Sequence, residues 1–77
     1  MILVIVQTRD PHRQAEALRA ALGLTLRGSR VRVIVDAPLA TPLAQRAADT
    51  LISFGHPVGP GDTASAIRAA DAVEVWT

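Results

Sequence analysis

Residues 1–7 read MILVIVQ, an apolar run rich in β-branched side chains. A run with no polar alternation marks a strand buried on both faces, as in the middle of a parallel sheet. Thr8-Arg9-Asp10 interrupts it, and Pro11 follows. Asp can cap the free N–H groups of a helix start, and proline loses nothing at the first helical position, so a helix is expected over residues 11–27. Ala15, Leu18, Leu22 and Leu26 recur there at three- and four-residue spacing as one apolar stripe. Glu16 and Arg19 are within pairing reach on the other side, and Gly28 marks the end.

The pattern then repeats. VRVIV at 31–35 is a second strand, and Thr41-Pro42 is a second cap followed by proline. The helix expected over 42–54 turns Leu43, Ala47, Leu51 and Phe54 inward and stops at Gly55. A short extended piece is expected near 57–58, where Pro57 argues against a long central strand. Gly55, Gly59 and Gly61 serve turns, and Asp62 or Thr63 caps a third helix over 63–70 with Ala66, Ile67 and Ala70 on one side. AVEVW at 72–76 is a final strand that alternates well enough to be partly exposed. The order is β1 (1–7), α1 (11–27), β2 (31–35), α2 (42–54), β3 (57–58), α3 (63–70), β4 (72–76). Strands alternating with helices imply a single α/β domain over residues 1–77: a small three-layer sandwich around a mainly parallel four-stranded sheet with right-handed crossovers.

Composition sharpens this picture. The 77 residues are 49% hydrophobic and 19% charged, which excludes intrinsic disorder. A domain of this size buries only about 60% of the surface of its unfolded chain, so its core is thin. Ala44, Ala47, Ala48, Ala66, Ala69 and Ala70 make the second and third helices slender. Three short helices cannot cover both faces of four strands, and self-association is the simplest source of the missing cover. A homo-oligomer, dimer or trimer, or a subunit of a mixed assembly is therefore expected. The longest apolar run is far short of the roughly 20 residues that cross a bilayer, and it lacks the features of a signal peptide. A cytoplasmic protein without a membrane role is the expectation. All eight basic residues are Arg, yet the net charge is only +1, with one Phe, one Trp and no Tyr. Neither a clustered basic face nor base-stacking platforms stand out, so no nucleic-acid partner is expected.

Candidate chemistry gathers where open α/β sheets bind ligands, beyond the carboxyl ends of the strands. Thr8, Arg9, Asp10, His12, Asp36, His56 and Asp62 are the candidate ligand-binding residues there. His12 or His56 could shuttle protons with Asp10 or Asp36 orienting the ring, but no nucleophile with a recognisable signature accompanies them. No catalytic residue, cofactor or metal site is assigned, because the His and Asp spacings match no compact ligand motif. Arg27, Arg30 and Arg32 cluster near the end of the first helix, where its dipole favours cations. Trp76 is the candidate interface anchor, with packing on its own third helix as the alternative.

The opening MILVIVQTRDP, the stretch AEALRAALGLTLRGSRVRVIVDAPLA and the ending AIRAADAVEVWT resemble the DsrE/DsrF/DsrH-like group of small sulfur-relay proteins. The shared pattern is an apolar first strand, a helix ending in Leu-Arg-Gly, a V-x-V-x-V strand leading to a helix, and a near-terminal Trp. The resemblance implies a flavodoxin-like fold that assembles into dimers, trimers or larger complexes, with active members holding a persulfide on a Cys before the third helix. Residues 55–62 carry no Cys here, and the chain has none anywhere. The resemblance therefore implies a noncatalytic subunit or scaffold, with a small-molecule or anion-binding module at the strand ends as the alternative.

Overall fold

Each helix starts on a side chain that satisfies a free backbone donor. Asp10 accepts from the N–H of His12 with Pro11 at the first helical position, Thr41 accepts from Ala44 ahead of Pro42, and Asp62 accepts from Ala64, all at 3.1 Å. The computed structural model describes residues 1–77. Its elements are β1 (Ile2–Val6), α1 (Pro11–Thr25), β2 (Val31–Val35), α2 (Pro42–Ser53), β3 (Val58–Gly59), α3 (Thr63–Ala69) and β4 (Ala72–Trp76). The first helix stops two residues earlier than expected. Leu26, Arg27 and Gly28 donate to Gly23, Leu24 and Thr25, the tighter i to i−3 pattern that closes a helix end. β3 begins at Val58 because Pro57 enters the ladder only through its carbonyl, which accepts from Val33 at 2.9 Å.

The four strands are all parallel and ordered β3-β2-β1-β4. The fold is thus the expected α/β sandwich, with its switch point between β1 and β4. From β1 to β3 the chain steps one way across the sheet, and from β3 to β4 it steps back. With right-handed crossovers this reversal places α3 on the face opposite α1 and α2.

The two faces are covered unequally. Val4 and Val6 of β1 and Val31, Val33 and Val35 of β2 meet Ala17, Leu18, Ala21, Ala47, Ala48 and Leu51 in the main core. The other face holds only Leu3, Ile5, Ile34 and Ala66, flanked by Met1 and Ala70. The buried stripe of α2 is Ala44, Ala47, Ala48 and Leu51. Leu43 and Phe54, expected inside, are 53% and 72% exposed, and Leu26 lies outside α1 at 86%. Small side chains at the contact let α1 and α2 lie close together, which displaces the larger apolar residues to the rim. No helix is long and apolar enough to cross a membrane.

Candidate functional site

The carboxyl ends of β1 and β2 open into a cavity of about 290 Å³, lined by Ile5, Val6, Gln7, Arg9, Ile34, Asp36, Ala37 and Thr63. Of the seven expected ligand-binding residues, Arg9 and Asp36 line it. Thr8 is buried beside it: its hydroxyl accepts from the Asp10 N–H at 3.1 Å, and its N–H donates to the Trp76 carbonyl at 3.1 Å. Asp10 and Asp62 are engaged as helix caps, and Asp62 itself does not line the cavity although its neighbour Thr63 does. His12 stands exposed on the first turn of α1, with Nε2 2.7 Å from Glu16 Oε1. Glu16 therefore pairs with His12 and not with Arg19, one turn back along the helix instead of forward.

His56 belongs to the opposite end of the sheet, which corrects its placement with the strand-end residues. α2 runs antiparallel to the strands, so a residue just beyond its C-terminus and just before β3 lies at the strands' amino ends. There Nδ1 accepts from the Val31 N–H at 3.2 Å. No group of three His, Asp or Glu side chains gathers in a way that would hold a metal ion.

The residue that organises the candidate site is one the sequence pattern does not announce. Gln14, 1% exposed, donates through Nε2 to the carbonyls of Thr8 and Pro38 at 3.4 Å each and accepts from the Ala40 N–H at 3.1 Å. One amide thus ties together the loops after β1 and β2. The available signal was its place on the α1 stripe, one turn before Leu18.

Trp76, the expected interface anchor, is half-buried against the main core within its own chain. Its Nε1 donates to Glu74 at 2.9 Å, and the Arg13 guanidinium lies 5.5 Å from the ring centre. Arg13 Nε also donates to the Thr77 carbonyl at 2.9 Å. This places Trp76 on the α1 side of the sheet, away from α3. Comparison with protein-family models, with curated proteins and with solved structures finds no match.

Proposed function

We propose that the chain is a noncatalytic, oligomeric DsrE-like protein of the cytoplasm, a scaffold or assembly subunit set beside sulfur-relay chemistry. Without a Cys it has no side chain to carry a transferable sulfane sulfur. The observation that carries the reading is the state of β4. The Trp76 carbonyl accepts from Gln7 and Thr8, so backbone of its parity turns toward β1, and the N–H and C=O groups of Val73 and Val75 face outward at the sheet edge. The side chains of these two valines lie on the thinly roofed face, paired with Leu3 and Ile5, and are 41% and 51% exposed; Ile67 of α3 is 46% exposed. An open strand edge continuous with an apolar face is a surface that natural proteins cover. Size-exclusion chromatography with light scattering at micromolar concentration is expected to give a multiple of the 8.1 kDa chain. A folded particle of one-chain mass would overturn the proposal.

A second reading, a binding module for small anions, is favoured by the strand-end cavity with Arg9 in its wall. Its test is a thermal-shift screen of small anions, in which stabilisation should disappear in Arg9→Gln.

A further inference from the structure

At the amino ends of the strands, remote from the cavity already described, a second cavity of about 390 Å³ is lined by Met1, Arg30, Val31, Arg32, Phe54, Gly55, His56 and Pro57. No carboxylate is in its wall. The acidic groups in contact with a basic group are Asp71, on the Met1 amino group, and Glu16, on His12, so both guanidiniums lack an acidic partner. The helix dipole does not account for them. The last turn of α1 contains no basic residue, and Arg32 pairs with Leu3 and shares the parity of Ile34, which puts it on the sheet face away from α1. There its guanidinium lies against Gly61, where an added Cβ would stand only 2.8 Å away.

The third lining donor is fixed by the backbone. After α2 the Gly55 N–H donates to Ile52 and the His56 N–H to Leu51, with Gly55 at a φ of +87°, the arrangement of a glycine-terminated helix. This turn leaves Phe54 outward and directs His56 Nδ1 to the Val31 N–H, so that the ring proton of the neutral imidazole is on Nε2. Phe54 and His56 also border an adjoining apolar groove of about 330 Å³ with Leu22, Thr25 and Leu26. A basic cavity and an apolar groove thus share one aromatic wall.

We propose that this end of the sheet is a binding site for a small organic oxyanion with a flat apolar body, of which an aryl phosphate is the simplest example. Arg30 takes the oxyanion, for which a guanidinium's fixed fork of donors is suited, and Arg32, whose guanidinium turns toward Gly61 on the far face, adds positive charge to the wall. His56 Nε2 adds a donor, and the body lies on Phe54 toward Leu22 and Leu26. The site does not depend on the oligomer or on the cavity at the opposite end.

The test is a titration of the ¹⁵N-labelled protein with naphthyl phosphate, followed by amide NMR shifts, with inorganic phosphate and naphthol as separate halves of the probe. Saturable shifts are expected at Arg30, Arg32, Phe54 and His56. Each half-probe should bind about tenfold more weakly or worse, as should the intact probe in the Arg30→Gln/Arg32→Gln variant if it melts like the parent. If that variant does not fold, the unaltered protein still decides the matter, because affinity for the intact probe must fall as salt is raised. Three results would each overturn the proposal: no saturable shift, shifts centred on Arg9 and Asp36 or on Val73 and Val75, or an affinity indifferent to both guanidiniums and salt.

Discussion

Gln14 shows how much one buried polar group can organise in so small a molecule. Its amide satisfies one N–H and two carbonyls of loops that would otherwise leave those groups without partners. Gln14→Leu keeps the volume but removes every partner, and a loss of about 1–3 kcal/mol is expected from denaturant unfolding. Unchanged stability would mean that the loops are held elsewhere. Asp71 is a second local lever. The Met1 ammonium beside it, through a hydrogen bond first and charge attraction second, holds its carboxyl below the usual range. A lowered folded-state pKa stabilises above the unfolded value of about 3.9 and ceases to do so as pH falls through the folded one. The tie between the start of β1 and the turn before β4 is therefore expected to hold near neutrality and to open in acid. Carboxyl-carbon NMR of Asp71 across that range checks it, and a midpoint at or above the unfolded value would refute it. Caps such as Asp10, Thr41 and Asp62 were legible in the sequence because a cap needs only its own next few residues.

Among the elements, β4 has the most exposed edge and α3 the least adequate roof. Replacing Val75 by Lys puts a charge on the open face without removing a buried contact, as natural edges do to block pairing. Val75→Lys should weaken self-association while changing the melting of the dissociated chain little. Sedimentation of parent and variant at matched concentrations tests this, and identical profiles would remove β4 from the interface. The helices themselves were legible from caps, prolines and apolar spacing, to within two residues at their ends. Which side of α2 faces inward was not. Leu43 and Phe54 share an apolar pattern with Leu51, but the close packing of α1 on α2 selects the alanines.

The whole molecule has a Cα radius of gyration of 11.1 Å, against about 11.5 Å for a compact chain of this length. Compactness is thus reached even though one sheet face is thinly covered. If copies supply the remaining cover, the melting temperature should rise with protein concentration, because association stabilises only the folded chain. A melting temperature that stays constant over a wide dilution series would count against assembly. The amino-acid sequence by itself determined the element types, their order, the mainly parallel α/β class and the absence of thiol chemistry, since these follow from local spacing, caps and composition. Only the tertiary structure decided the strand order, the placement of α3 alone on one face, and the separation of His56 from Arg9 and Asp36. Those depend on which way each crossover travels across the sheet, a property of the assembled chain that no short stretch of residues encodes.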